Sequence, residues 1–363
     1  RLVDTLHPPA GVGAPPAVTA RFAIIMPTWV GDSVMATPVV RAVRAALPDA
    51  ELTLLVRPGL DRLLAGLPEP DRVLVHPLRG LLGPATGGRL LRSARPETVL
   101  VLPNSMRSAL VARVSGARER IGYRREGRAV LLTRAVAPSA STGPVPAVDW
   151  YADLTEVALG GPVPDRRPRL HVTEAERKAA APVVAAADGA YAVVHPGANR
   201  ADKRWPAERF AAVADHLRER WGLRVIATGS VAERTVVDRV RAAATCDVID
   251  GTRLGLDLGG LKALIAGARL MLTNDTGPRH IATARSVPTV ALFGPTDHRW
   301  TTLRLPGQRL LVAEPFLPAE LVADRHPRAC AIDRITEADA CFAADALLEG
   351  GAPEPPAAPD APR

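Results

Sequence analysis

The chain has 363 residues, 47% of them hydrophobic and 23% charged, with a formal net charge of +8. These fractions are those of a folded globular protein, and the length exceeds what one hydrophobic core usually serves, so we expect two domains. No apolar run reaches ~18 residues, which excludes a membrane-spanning helix. The three cysteines lack metal-ligand spacing, which favours a reduced, cytosolic compartment.

The basic residues are almost all arginines, since only Lys178, Lys203 and Lys262 are lysines. The arginines are scattered, aromatic residues make up only 4% of the chain, and there is no basic helix, so a nucleic-acid partner is not expected. The net charge instead favours anionic ligands or contact with an anionic membrane surface. In so lysine-poor a chain, each lysine raises the question of why arginine was not used.

Strands and helices alternate along the first half of the chain. Residues 1–20 have no signal-peptide core and are expected to be disordered. Strands are predicted at 21–26, 52–56, 72–75, 98–102 and in an extended segment at 116–123. Helices are predicted at 34–47, 60–65, around Leu90, at 106–114 and at 149–158. This alternation predicts a parallel, doubly wound sheet.

A second alternation follows a Gly/Pro/Arg-rich linker at 160–169. Strands are predicted at 191–195, 224–228, 248–249, 268–272 and 289–293. Helices are predicted at 206–220, 232–244, 256–265, in a short segment opened by Thr276 to Pro278, and at 337–349. Residues 350–363 form a polar tail without a core. Two such domains place their strand-end loops on either side of a cleft, which suits the joining of two substrates.

The segment 273–297 carries a group of polar residues between two buried strands. Asp275 and Thr276 are ordinary N-cap residues, and His280 alone would be a packed or surface histidine. Together with Gly277, however, they converge on a helix N-terminus at the carboxyl end of a strand. The free N–H groups and the dipole of such a terminus suit a phosphate.

Three further loops carry candidate groups. Asp32 follows the first strand in a loop that lacks the dinucleotide-binding glycines, and it either caps the next helix or acts as a general base. Lys203 is either a surface base or a point contact to a diphosphate. Glu233, after Gly229, is either a favourable first-turn carboxylate or an acceptor for a ribose or base. Metalloprotease, Walker and serine-hydrolase motifs are absent.

Four blocks, in this order, resemble the family 9 glycosyltransferases, the ADP-heptose:lipopolysaccharide heptosyltransferases, with the second type the closer match. The blocks are PTWVGDSVMATPVVRAVRAALPDAELTLLV, LPNSMRSALVARVSGARERIGYRREGR, HPGANRADKRWPAERFAAVADHL and LTNDTGPRHIATARSVPTVALFGPTD. The resemblance covers about residues 21 to 348. It implies an α/β GT-B fold of two Rossmann-like, doubly wound domains facing a cleft. The acceptor domain would span 21–168 and the nucleotide-sugar domain 169–349, whose final helix could pack back on the first.

The resemblance also implies an inverting transfer of a heptosyl residue from ADP-heptose to a glycan hydroxyl, such as one of the lipopolysaccharide inner core. No metal or other cofactor is expected. Asp32 matches the catalytic base, and Lys203 matches the lysine that contacts the leaving diphosphate. The positions matching the donor site are Lys203, Gly229, Glu233, Asp275, Thr276, Gly277 and His280. Those expected to bind the acceptor are Gly31, Asn104 and Arg120.

Other functions stay open at this stage. The arginine-rich segment 118–128 suits a phosphorylated sugar, and Arg279 could add a phosphate or acceptor contact. The composition of a GC-rich genome leaves another glycan, or a secondary metabolite, open as the acceptor. A non-catalytic nucleotide-sugar binding protein and a related epimerase are further alternatives, although no second acid/base group supports the epimerase. We expect a cytoplasmic protein, with the inner face of the membrane as a possible contact.

Overall fold

The structure of the protein, a computed structural model, describes residues 20–138, 144–303, 305–314 and 330–350. The first half of the chain forms a parallel sheet of six strands. These are β1 (Arg21–Ile25), β2 (Glu51–Val56), β3 (Arg72–Val75), β4 (Thr98–Val101), β5 (Glu119–Tyr123) and β6 (Arg134–Val136). Their order is β3-β2-β1-β4-β5-β6. The central strands β1 and β4 are apolar and buried after their first residue, because helices cover both faces.

The second half repeats this arrangement with another parallel sheet, in the order β12-β11-β10-β7-β8-β9. Its strands are, in chain order, β7 (Tyr191–His195), β8 (Arg224–Ala227), β9 (Val248–Asp250), β10 (Leu270–Asn274), β11 (Thr289–Phe293) and β12 (Gln308–Val312). Each sheet lies within one of the two expected domain ranges. Apart from residues 20 and 350, the tails expected at 1–20 and 350–363 lie outside the described residues.

Helices cover the faces of both sheets. In the first half they are α1 (Val30–Met35), α2 (Thr37–Ala46), α3 (Leu60–Leu64), α4 (Gly83–Arg92), α5 (Met106–Ser115) and α6 (Ala147–Leu159). In the second half they are α7 (Glu174–Ala187), α8 (Ala207–Trp221), α9 (Arg234–Ala243), α10 (Leu258–Ala266), α11 (Gly277–Ala284) and α12 (Glu337–Glu349). None of the helices within the described ranges is long and apolar enough to cross a membrane.

The structure differs from the prediction at several elements. The helix expected at 34–47 is two helices, because Pro38 has no N–H to continue the α1 hydrogen bonds and instead lies in the first turn of α2. Strands β6 and β12 were not predicted, since both are short, partly exposed edge strands. Helix α7 was also missed; it contains Pro182 and many alanines, and a Thr173–Glu176 capping box fixes its start.

The last helix, α12, packs in the second domain. Packing of this helix on the first domain, which the resemblance allowed, is not observed among the described residues. Its apolar face joins the core of the second domain, and its polar face binds α8. Asp345 accepts a hydrogen bond from His216 at 2.8 Å, and Glu349 pairs with Arg220 at 2.9 Å.

The two domains meet where α1 contacts α11. A Cβ added to Gly31 would lie 2.6 Å from His280 Cδ2, and one added to Gly277 would lie 2.7 Å from Val30 Cβ. Real Cβ atoms do not approach other atoms this closely, so a larger residue at either position would push the helices apart. These two glycines therefore allow the N-terminal end of α1, in the first domain, to pack against the N-terminal end of α11, in the second domain.

A second contact between the domains is made by Lys262 of α10, which is fully buried. Its Nζ donates to Leu63 O at 2.9 Å and Ala65 O at 2.8 Å, at the carboxyl end of α3, and pairs with Glu176 Oε1 at 3.0 Å. Burial lowers the pKa of the ammonium, and the pairing with Glu176 opposes this effect. A compact ammonium can donate to three acceptors that surround one atom, whereas a guanidinium donates only within its plane. This geometry explains why position 262 holds a lysine although nearly all other basic residues of the chain are arginines.

We expect Lys262→Met to destabilise the protein by about 3 kcal/mol, because it leaves two carbonyl groups and the buried Glu176 carboxylate without their cation. Urea unfolding followed by circular dichroism measures the change. Lys178→Met is the matched control, since Lys178 is exposed on α7 and should change stability by less than about 0.5 kcal/mol. Equal stabilities for the two variants would contradict the role given to Lys262.

Candidate active site

The carboxyl ends of strands in both sheets face a cavity of about 670 Å³. The start of α1 forms its wall in the first domain. The loops after β7, β8 and β10, with the starts of α10 and α11, form its wall in the second. All but two of the predicted site residues line it, namely Gly31, Asp32, Lys203, Gly229, Glu233, Asp275, Thr276, Gly277 and His280. This is the strand-end position at which parallel α/β sheets bind ligands.

A larger cavity, of about 870 Å³, lies beside the linker and carries none of the predicted residues. One of its cations, Arg166, is already paired with Asp149, Asp153 and Glu156 at 2.8 to 3.0 Å. The smaller cavity brings Asp32, Lys203 and Glu233 together at the carboxyl ends of the strands, so we place the chemistry there.

The start of α11 leaves backbone donors for a ligand. Thr276 is the N-cap residue, but its side chain makes no capping hydrogen bond, and its Oγ1 lies 3.2 Å from Thr273 Oγ1 instead. The interpretation of Asp275 and Thr276 as ordinary caps therefore does not hold. The first N–H groups of the helix, with the positive end of its dipole, can bind an anion at the cavity wall.

Lys203 adds a cation to this helix end. A 3₁₀ turn, Ala201–Lys203, places its Nζ 3.5 Å from Asp275 Oδ2, and both side chains are largely buried. Arg279 Nη2 lies 3.4 Å from the other oxygen, Asp275 Oδ1. The single carboxylate is shared by two cations, so this side of the cavity keeps a positive charge that can face a diphosphate.

Arg279 does not line the cavity, and the expected ligand contact was wrong. Its side chain is buried over the Phe293 ring, and Nη2 donates to Thr301 O at 3.1 Å. The same Nη2 lies 3.0 Å from His280 Nε2. Because a guanidinium can only donate, this contact fixes the proton of a neutral His280 on Nδ1. Burial and the charge of Arg279 lower the pKa of His280 well below its ordinary value, so the ring stays neutral.

Glu233 serves a structural role and also lines the cavity. Its Oε2 accepts hydrogen bonds from Ser230 N and Oγ, both at 2.8 Å, and its carboxylate lies directly against Gly197, where a Cβ would clash. Burial raises its pKa, but the Ser230 bonds and the nearby His195 outweigh burial and lower it. Glu233 is therefore ionised at neutral pH. The unpredicted His195 lies beside it with Nδ1 3.0 Å from Thr228 Oγ1.

Asp32 lies in the first turn of α1, on the wall opposite α11. The N-cap of α1 is Trp29, and no side chain caps this helix, so the interpretation of Asp32 as a plain cap does not hold. Within the described ranges its carboxylate has no salt bridge. Burial raises its pKa to about 6. An unpaired carboxylate with a raised pKa, in a cavity, is the usual form of a general base.

Two of the predicted acceptor residues lie outside the cavity. Arg120 is near the amino end of β5, away from the cleft, and its guanidinium is held by Leu131 O and Ala117 O at 3.0 and 2.6 Å. Asn104 follows β4 at the correct edge of the sheet, but its Oδ1 accepts a hydrogen bond from the buried Arg128 at 3.2 Å. We therefore drop Arg120 as an acceptor-binding candidate.

Three arginines that were not among the predicted site residues surround a small pocket, of about 170 Å³, at the carboxyl edge of the first sheet. Arg57 follows β2 directly, Arg79 follows β3 by four residues, and Arg107 lies in the first turn of α5. Arg57 donates to Thr28 O at 2.9 Å. The signal that could have found Arg57 and Arg79 is their place just after a strand, where parallel sheets bind ligands.

We expect Asp32→Asn to stabilise the protein at neutral pH. The folded-state pKa of about 6 lies above the value of 3.8 for an unperturbed aspartate, so ionisation costs stability, which falls as the pH rises from about 4 to 6. The gain from the substitution should be absent near pH 4 and reach about 2 kcal/mol at pH 7. Urea unfolding at both pH values measures it, with the exposed Asp49→Asn as control. A gain independent of pH would contradict the raised pKa.

Comparison with known proteins agrees with this geometry. The family described as Glycosyltransferase family 9 (heptosyltransferase) matches residues 87–312. Lipopolysaccharide heptosyltransferase 2 of Escherichia coli K12 is 29% identical over 298 residues, which cover 77% of this chain and 84% of that protein. The enzyme of the same name from Salmonella typhimurium is 30% identical over 299 residues, again covering 77% and 84%.

Solved structures show the same architecture. The E. coli ADP-heptose lipopolysaccharide heptosyltransferase II superposes with a TM-score of 0.76 at 25% identity, covering 91% of this chain and 99% of that one. A family 9 glycosyltransferase from Veillonella parvula gives a TM-score of 0.81 at 23% identity, covering 92% and 98%. The predicted GT-B fold is confirmed. The chain belongs to glycosyltransferase family 9.

Proposed function

We propose that the protein transfers a heptosyl residue from ADP-heptose to a hydroxyl of an anionic glycan, with the lipopolysaccharide inner core as the first candidate. One observation carries this proposal. Asp32, whose carboxylate forms no salt bridge within the described ranges, lines the cavity from the first domain. Lys203 and the start of α11, which suit an anion, line it from the second domain. The relatives named lipopolysaccharide heptosyltransferase 2 support the donor and the acceptor class.

The second domain suits a nucleoside diphosphate sugar. The start of α11 and Lys203 offer N–H groups and an ammonium to two phosphates. Glu233 and Gly229 lie in the neighbouring loop, where an ionised carboxylate can accept hydrogen bonds from a ribose. A volume of about 670 Å³ is in the range of sites that enclose a ligand of this size.

The transfer we propose is a single displacement with inversion. Asp32 takes the proton of the acceptor hydroxyl while its oxygen attacks the anomeric carbon. The bond from that carbon to the diphosphate breaks, and the electron pair leaves with ADP. Lys203 and the start of α11 stabilise the charge that develops on the diphosphate, each by roughly 2–4 kcal/mol. These groups can fill the role of a metal, so we propose a metal-independent reaction.

The acceptor binds to the first domain in this proposal. Arg57, Arg79 and Arg107 surround the pocket at the carboxyl edge of its sheet, and they suit a phosphate or carboxylate on the acceptor. They take the place of Arg120 as candidates. Gly31 lines the main cavity next to Asp32, where the reacting hydroxyl must lie. Asn104, which follows β4 at the same edge, stays a prediction.

We expect ADP and ADP-heptose to bind more tightly than UDP or GDP when measured by calorimetry, equally with and without EDTA. Lys203→Ala should weaken ADP binding roughly ten- to a hundredfold, because it removes one charge-assisted hydrogen bond to the diphosphate. Lys178→Ala, an exposed lysine on α7, is the matched control and should bind as the wild type does. A preference for UDP or GDP would overturn the heptosyl donor, and loss of binding in EDTA would overturn metal independence.

We expect Asp32→Asn to bind ADP normally and to lose turnover by a factor of ~10² or more, because the general base is gone. In the wild type, kcat/KM should fall about tenfold per pH unit below pH 6, since only the ionised carboxylate accepts a proton. Release of ADP in the presence of a heptose-deficient core acceptor reports the rate, and Asp49→Asn serves as control. Retained turnover in Asp32→Asn would exclude Asp32 as the base. Donor binding without turnover on any acceptor would indicate a binding protein.

A further inference from the structure

The first domain exposes a group of large apolar side chains. Leu81 and Leu82, in the turn that leads into α4, are 95% and 74% exposed, and Val130 is 85% exposed. Met106 and Leu110, on α5, are also exposed. Single exposed apolar residues are common, but two adjacent leucines that are both largely exposed need an explanation.

These side chains belong to one continuous surface. Arg107 of α5 donates to Gly80 O at 3.0 Å, which fixes the turn that carries Leu81 and Leu82 next to this helix. On the other side of the helix, Met106 Cε lies 3.9 Å from the Cβ position of Gly127, just before Val130. We call this set the leucine–arginine surface; it comprises Arg79, Leu81, Leu82, Met106, Arg107, Leu110, Arg124 and Val130.

The charges of this surface are almost all positive. Its three arginines are exposed, and none of them forms a salt bridge with a carboxylate in the part of the chain that the structure describes. Glu126, two residues after Arg124, is an exposed acid beside them. Arginines around protruding leucines are complementary to a bilayer interface, where the leucines reach the acyl chains and the arginines meet lipid phosphates.

The position of the surface fits the proposed function, on which this inference rests. Arg79 and Arg107 belong both to the leucine–arginine surface and to the pocket proposed for the acceptor. A glycolipid acceptor is held in a bilayer by its acyl chains, so the domain that binds its head group must lie close to the membrane. The surface and the acceptor pocket occupy the same edge of the first sheet.

We propose that the leucine–arginine surface docks the first domain on an anionic lipid bilayer, with Leu81 and Leu82 inserted at the interface. A second copy of the chain is a poorer occupant. A symmetric contact would place the same arginines against each other, and so few apolar side chains fall short of the area that stable dimers bury.

The test is sedimentation of the full chain with vesicles of phosphatidylglycerol and phosphatidylcholine, or of phosphatidylcholine alone. We expect binding to the anionic vesicles, weakened by salt because the attraction is screened. The double substitution Leu81→Asp/Leu82→Asp should lower the partition coefficient at least about tenfold, since it removes both inserted side chains and adds negative charge. Phe342→Asp is the matched control, because Phe342 is 76% exposed on α12 of the second domain; it should bind as the wild type does.

Several results would overturn the proposal. They are the absence of binding to anionic vesicles, equal binding of the double variant, and equal loss in Phe342→Asp. A wild type that is dimeric in solution, and a double variant that is monomeric, would assign the surface to a second copy. ADP calorimetry on the same samples separates this inference from the proposed function. Normal ADP binding without vesicle binding rejects the surface alone, and vesicle binding without ADP binding rejects the donor site alone.

Discussion

The close approach of α1 and α11 sets the geometry on which the rest of the site depends. Each helix packs its N-terminal end against the other domain. The two helices can approach this closely because Gly31 and Gly277 have no side chain. This contact holds Asp32 opposite the helix end that suits a phosphate. Burial of this carboxylate raises its pKa to about 6, so Asp32 combines the position and the basicity that the proposed general base needs.

The three lysines show how the chain uses its two kinds of cation. Arginine supplies nearly all of the positive charge and the planar contacts, such as that of Arg279 over Phe293. Two of the lysines occupy sites that suit a compact ammonium group. Lys203 lines the cavity, and Lys262 lies between the domains. Lys178, exposed on α7, is the exception and has no such role in the structure.

Most of the fold and the main cavity could be predicted, because apolar strands and the residues that follow them are visible in the sequence. Asp32, Lys203 and the Asp275 group follow strands, and the parallel sheets bring them together; their roles stay predictions. Arg120 was chosen from an arginine-rich segment rather than from a strand end, and it lies away from the cleft. Composition also could not show that Arg128 and Arg279 are buried, since burial depends on contacts distant in sequence.

The buried ammonium of Lys262 limits how the two halves can move. Pulling the domains apart would remove the carbonyl partners Leu63 O and Ala65 O from this buried charge, whereas a rotation about that point keeps both. An opening of the cleft that preserves these two hydrogen bonds is a rotation about Lys262. Because displacement grows with distance from the axis of a rotation, the outer loops would move most and the residues around Lys262 least.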